Sequence, residues 1–249
     1  MKDDFYIGYL DQAPPALARH TRRVVVTLVL AVTMILGLLA ARQTPADQGT
    51  FEFGVTRSFE GVLYETPLPW LRTLSAAGAG TNYLLVGSGK QGLPAFARGH
   101  DGDQVRFQGS LIYRGKAVMI ELNQPNSFEV IGRAVAKDLR PRSEPVGEAV
   151  LTGELVDTKC WYGVMRPATG KVHRACAVRC LSGGVPPGLL VRDAEGNATV
   201  VLLAGADGTP LRYDVEWAAR IVTASGKLEL QEQTPVLRVQ KLVLGEAAH

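Results

Sequence analysis

Residues 170–180 read GKVHRACAVRC and place His173, Cys176 and Cys180 at i, i+3 and i+7; the remaining cysteine of the chain, Cys160, stands a short way upstream. On a helix that spacing lines up all three side chains along one face. Three thiols and one imidazole are the ligand set of a closed Cys3His zinc site. Met165, in the connection WYGVMRPATG, adds a thioether, and soft sulfur ligands favour Cu(I). The same residues admit two other chemistries. Outside the cytoplasm thiols tend to pair, so Cys160 can bridge to Cys176 or Cys180 and leave one thiol over. The thiols can also do redox work. A bond between Cys176 and Cys180 is the harder pairing, because α-carbons one helical turn apart, about 6 Å, reach the disulfide dihedral only with strain. A stapled loop, a zinc or copper site and a redox thiol therefore stand as three open readings. Covalent haem is not expected: C-x-x-C-H needs a histidine after the second cysteine, and Leu181 follows Cys180.

Several elements must carry this segment. Val24 to Ala41 form an uncharged apolar run about long enough to span a bilayer as a helix. Arg19, Arg22 and Arg23 precede it and only Arg42 follows, so positive charge is concentrated before the run. That asymmetry predicts residues 1–23 as a cytoplasmic tail, 24–41 as a single transmembrane helix and everything beyond as periplasmic, in a bacterial inner membrane. In the tail, Phe5, Tyr6, Ile7, Tyr9 and Leu10 are apolar enough to lie in the headgroup layer or to dock on other subunits of a membrane complex.

After a linker over 42–55 the pattern changes to short alternating stretches punctuated by Gly, Pro, Asn and Asp, which signals a mainly β fold. Strands are expected around FEGVLYET, NYLLVGSG, QVRFQGSLIYR and KAVMIELN, and again around AVLTGELVD, GLLVRD, TVVLLAG, RIVTASGKLEL and PVLRVQKLVL. The two sets align, with Gly61 on Gly153 and Gly109 on Gly226, which predicts a duplicated unit. Glycines inside strands mark the bends that close small barrels. The expectation is two OB-like five-stranded barrels, over 56–132 and 148–245, joined by a charged, proline-bearing linker at 133–147; a two-sheet sandwich is the alternative. The matched glycines lie 48 residues apart in the first unit (109 − 61) and 73 in the second (226 − 153), so about 25 extra residues fall on the cysteine segment, read as a helical insertion over 160–188. Gly183 and Gly184 should stop that helix, and Pro186 and Pro187 should prevent its restart.

Other function classes find little support. Lys and Arg exceed Asp and Glu by only 27 to 24, without a basic stripe or base-stacking aromatics, so nucleic acid is not an expected partner. The chain lacks a G-x-S-x-G elbow, a paired-histidine motif and a dinucleotide fingerprint. Glu154 and Asp157, near Cys160 and Lys159, could polarise a thiol, but charged residues at a strand end are most often just solvated, and they are read so here. The first barrel reads as a spacer, its single histidine, His100, sitting in a turn.

The stretch GELVDTKCWYGVMRPATGKVHRACAVRCLSGGVPP, together with FYIGYL and the single anchor, resembles a family of bacterial single-pass membrane proteins with a periplasmic tandem OB-like region and no assigned activity. In topology alone the chain is similar to the haem chaperone of cytochrome c maturation, whose H-x3-Y motif it does not carry. The resemblance transfers no site residue. The functional expectation is a non-catalytic, membrane-anchored periplasmic accessory subunit of a larger membrane complex, of the electron-transfer kind. The alternative is a metal-handling (Zn or Cu) or thiol-redox protein built on Cys160, Met165, His173, Cys176 and Cys180.

Overall fold

The computed structural model describes residues 13–42, 48–73, 80–133 and 142–245. The tail residues Phe5, Tyr6, Ile7, Tyr9 and Leu10, and positions 134–141 of the expected linker, lie outside them. The chain forms two compact units, Met1–Ala46 and Asp47–His249.

The first unit contains α1 (Pro15–Arg42), a 28-residue helix with no buried residue. Pro15 suits the first helical position, where its missing N–H is not needed. At 1.5 Å per residue the helix is about 42 Å long against a hydrocarbon core of about 30 Å. It is long and apolar enough to cross a membrane. It starts nine residues before the expected run because the Ala, Leu and Arg of PALARHTRR are good helix formers.

The second unit holds two closed barrels. In the first, β2 (Arg57–Tyr64), β3 (Trp70–Arg72), β4 (Asn82–Gly87), β5 (Asp103–Arg114) and β6 (Ala117–Leu122) pair in the circular order β2-β3-β4-β6-β5. All of these pairings are antiparallel except β4 with β6. Two outer strands, β1 (Thr50–Phe51) and β7 (Glu129–Arg133), pair with β5. The second barrel repeats the scheme with β8 (Ser143–Asp157), β9 (Pro187–Arg192), β10 (Ala198–Gly205), β11 (Ile221–Gln231) and β12 (Thr234–Leu244), again with one parallel pair, β10 with β12. The protein is thus mainly β, with two OB-like five-stranded barrels rather than a sandwich. Strand β3 carried no readable signal: it has three residues, it follows ETPLP, and two-residue alternation needs more length to show. Strand β8 begins at Ser143, inside the stretch read as linker. Pro145 is accommodated there because the ladder with β11 shifts register beside it.

The register supports duplication more strongly than the sequence alignment does. Gly61 pairs with Val105 and Gly109 with Arg57 across β2 and β5; Gly153 pairs with Val222 and Gly226 with Ala149 across β8 and β11. In both barrels the two glycine pairs are therefore four residues apart on each strand. Each glycine allows a close crossing. A β-carbon on Gly61 would lie 2.3 Å from the Arg72 carbonyl oxygen, and one on Gly153 would lie 2.3 Å from that of Leu190.

Each barrel has its own interior, around Leu63, Leu85 and Phe107 in the first and Leu155, Leu203 and Leu237 in the second. Alternate residues of the same strands point the other way and meet in a third core. Val62, Trp70, Leu84 and Val86 of the first barrel pack there with Val156, Leu190, Val200 and Leu202 of the second. Strands buried on both faces explain why VLY, YLLV and VVLLA are continuous apolar runs where the sequence reading expected alternation.

Candidate metal centre between the barrels

The β2–β3 connection of the first barrel spans residues 65–69, whereas the matching β8–β9 connection spans 158–186. This is where the second barrel's extra residues lie. It opens with a wide helical turn, Cys160–Val164, and continues to α2 (Arg174–Ser182), capped by His173 at one end and Gly183 at the other. The Gly183 N–H reaches back to the Arg179 carbonyl, and Gly184 takes φ 87°, so the expected helix stop operates. Gly183 also allows a second contact. A β-carbon there would lie 1.9 Å from the Lys90 carbonyl oxygen, and the Gly92 N–H donates to the Gly183 carbonyl over 2.9 Å. The end of α2 is thereby seated on the 88–92 loop of the first barrel.

Cys160, Cys176 and Cys180 converge. Their sulfurs lie within 4.8 Å of one another, and the Cys160 and Cys176 sulfurs are 3.8 Å apart. Cys160 and Cys180 are buried in the interbarrel core, while Cys176 is half-buried; all three are free thiols. A disulfide requires about 2.05 Å between sulfurs. His173 is buried, but its Nε2 lies 2.9 Å from Asp157 Oδ2, so it joins a second group, Asp157, Cys160 and His173, rather than completing a quartet with the three sulfurs. Met165 ends the wide turn and is 42% exposed.

Asp157 and Lys159, read from sequence as solvated charges, are both buried. The Asp157 carboxylate accepts the Cys160 N–H through Oδ1 over 2.8 Å while Oδ2 meets His173, so one side chain sets the entry of the cysteine turn and the start of α2. Lys159 crosses to the first barrel, where its ammonium donates to the Gly87 and Gly89 carbonyls (2.7 and 2.6 Å) and pairs with Glu121 (2.5 Å). Burial of this charge is tolerable because every donor direction has an acceptor. Glu154 accepts the Gly170 N–H over 2.6 Å and so anchors the connection between the wide turn and α2. Arg114 stacks 3.8 Å from the centre of the Trp161 ring.

The first barrel also reaches the sulfurs directly: Lys90 Nζ lies 2.7 Å from Cys176 Sγ. That contact raises the Lys90 pKa; burial opposes it, and the charges of Cys176, Cys180 and Cys160 add lesser contributions in the same upward direction. The Cys180 thiol is pushed below its ordinary value, chiefly by a hydrogen bond from Cys160, with burial opposing. Cys160 is pushed up by the same hydrogen bond, by burial and by the Asp157 charge. The shared hydrogen bond thus moves the two thiols in opposite directions, Cys180 down and Cys160 up. Sequence reasoning had no means of finding Lys90, which is 86 residues from Cys176 and sits in an ordinary SGK turn.

No protein-family model matches the chain, and a search of curated proteins returns no match.

Proposed function

We propose that the protein is a single-pass, membrane-tethered metal-handling protein that holds one thiophilic ion, Cu(I) or Zn(II), between Cys160, Cys176 and Cys180. The observation carrying this reading is the sulfur geometry. Three sulfurs bound about 2.3 Å from one metal lie about 3.8–4.0 Å from each other, and Cys160 and Cys176 are 3.8 Å apart as free thiols. That pair already has the spacing of two ligands to one ion, the third sulfur lies within 4.8 Å of both, and Asp157 and His173 hold the backbone and helix that present them. Arginines 19, 22 and 23 before the apolar helix, against Arg42 alone after it, support placing the barrels on the periplasmic side of a bacterial inner membrane.

The test is metal loading of the reduced, detergent-purified full chain under anaerobic conditions. One copper or zinc per chain should survive desalting, with three sulfurs in the X-ray absorption spectrum, and should be lost in Cys160→Ser and Cys180→Ser. Retention of no metal by a protein with three titratable thiols would overturn the reading. A second reading, the accessory subunit of a larger membrane complex, is favoured by α1, whose residues are all unburied and need lipid or partner helices to cover them. Migration as a lone monomer on a native gel would remove that reading and leave the first.

A further inference from the structure

The 2.7 Å separation of Lys90 Nζ and Cys176 Sγ is short for the contact it resembles. An N–H···O bond spans about 2.7–3.2 Å, and the larger sulfur atom puts an N–H···S bond roughly 0.4 Å further out. The separation suits a nitrogen and a sulfur joined through one oxygen, whose N–O and O–S bonds of about 1.4 and 1.7 Å subtend about 2.6 Å.

We propose that Lys90 and Cys176 are a covalent modification site, at which dioxygen joins them through an Nζ–O–Sγ bridge that ties the two barrels together. The reaction balances with one molecule of dioxygen. The Cys176 S–H and one Lys90 N–H are lost, O–S and N–O bonds form to one oxygen atom, and the second oxygen leaves as water. Sulfur and nitrogen each give up two electrons, and dioxygen accepts the four.

Three observations select this pair. Lys90 is exposed and Cys176 half-buried, so an oxidant reaches them while Cys160 and Cys180 stay covered. Among the described residues Lys90 meets no carboxylate within ion-pair distance, and Cys176 is its side-chain partner. The backbone around Lys90 is fixed on both sides: Lys159 binds the Gly87 and Gly89 carbonyls, and Gly183 packs on the Lys90 carbonyl. The competing product, a Cys160–Cys176 disulfide, must close a 3.8 Å gap to about 2.05 Å. The bridge does not depend on the metal reading. Where both hold, it withdraws one sulfur from the ligand set and makes metal retention sensitive to oxidant.

The experiment compares intact masses of the full chain purified in detergent in air with those of the same chain purified anaerobically with dithiothreitol. The air sample should be heavier by about 14 Da, one oxygen gained and two hydrogens lost. Fragmentation should yield a peptide pair joined at Lys90 and Cys176. Dithiothreitol should reverse the change, and Lys90→Gln, a substitution of an exposed side chain, should abolish it. An unchanged mass in air would overturn the proposal. So would a loss of about 2 Da with Cys160 joined to Cys176, or a gain of about 16 Da confined to Cys176. Metal content, measured separately on the anaerobic sample, tests the ligand set: failure there with the mass gain intact removes the metal and leaves the bridge, and the converse removes only the bridge.

Discussion

The two barrels share strand order, the parallel pair and the register of their matched glycines, yet the 65–69 connection is a short turn while 158–186 carries three cysteines, a histidine and a helix. The comparison separates scaffold from site. The barrel repeats because closing five strands constrains where glycines must sit; the site does not repeat, because a loop at the barrel's end can lengthen without disturbing that closure. The comparison also shows the first barrel to be more than a spacer. Lys159, one residue before Cys160, is held by Gly87, Gly89 and Glu121, and Lys90 lies against Cys176. The simpler barrel supplies the wall against which the inserted loop takes its shape.

The strongest way to break this division is at Lys159. Lys159→Ala should destabilise the folded unit by about 3–5 kcal/mol, since it leaves a buried carboxylate at Glu121 without its cation. Lys159→Met with Glu121→Leu should recover most of that loss. Denaturant titration of the full chain in mild detergent measures both, and a loss below about 1 kcal/mol for the single variant would mean that the barrels are not locked together through this residue. The repeat is tested by Gly61→Ala and Gly153→Ala, each of which drives a methyl into a carbonyl on the neighbouring strand. Overpacking of this kind should cost about 1–3 kcal/mol, and similarly in both barrels. Unequal losses would show that the barrels' matched positions are not energetically equivalent.

The contrast between site and scaffold is sharpened by Asp157→Asn, which keeps an acceptor for the Cys160 N–H but removes the charge facing His173. Metal affinity of the reduced chain should fall about 10–100-fold, as for other groups that orient metal ligands. Competition against a chromophoric chelator reads the change, and an unaltered affinity would detach the buried pair from the site. The smallest expected effect concerns two turns of the second barrel. Asp193 and Asp207 are held below the ordinary carboxylate range, chiefly by Asn197 and Thr209 hydrogen bonds respectively. Their folded values lie below their unfolded ones, so the stability they add is present above the ordinary carboxylate pKa and is lost as pH falls through the lowered values. Asp193→Asn should slightly flatten the acid limb of a stability–pH curve, and an unchanged acid limb would show that the Asn197 hydrogen bonds add no stability there.

Much of the architecture was legible in the residues. The apolar run of α1, nine of the twelve strands, the duplication and the location of the insertion follow from periodicity and glycine spacing. What escaped was short or non-local. Trp70–Arg72 has too few residues to show a period, and β1 has only two. The helix over the cysteines was readable and forms, but its histidine, at the cap, bonds Asp157 and groups with Cys160 alone of the three sulfurs, because the buried Asp157 carboxylate that holds it comes from the end of β8.

The sequence by itself determined the elements and the inventory of ligands: helical and strand periods are properties of neighbouring residues, and thiols, imidazole and their spacing are visible in one line of text. Only the tertiary structure decided which of those groups meet. The back-to-back packing of the barrels buries Asp157 and Lys159, brings Lys90 to Cys176 across 86 positions, and draws Cys160 to the α2 sulfurs. Such contacts depend on both faces of the β2–β4 and β8–β10 sheets being apolar at once, so that each barrel completes the other's surface. No local pattern encodes that condition, because it is satisfied only when two distant segments bury the same water-excluded space.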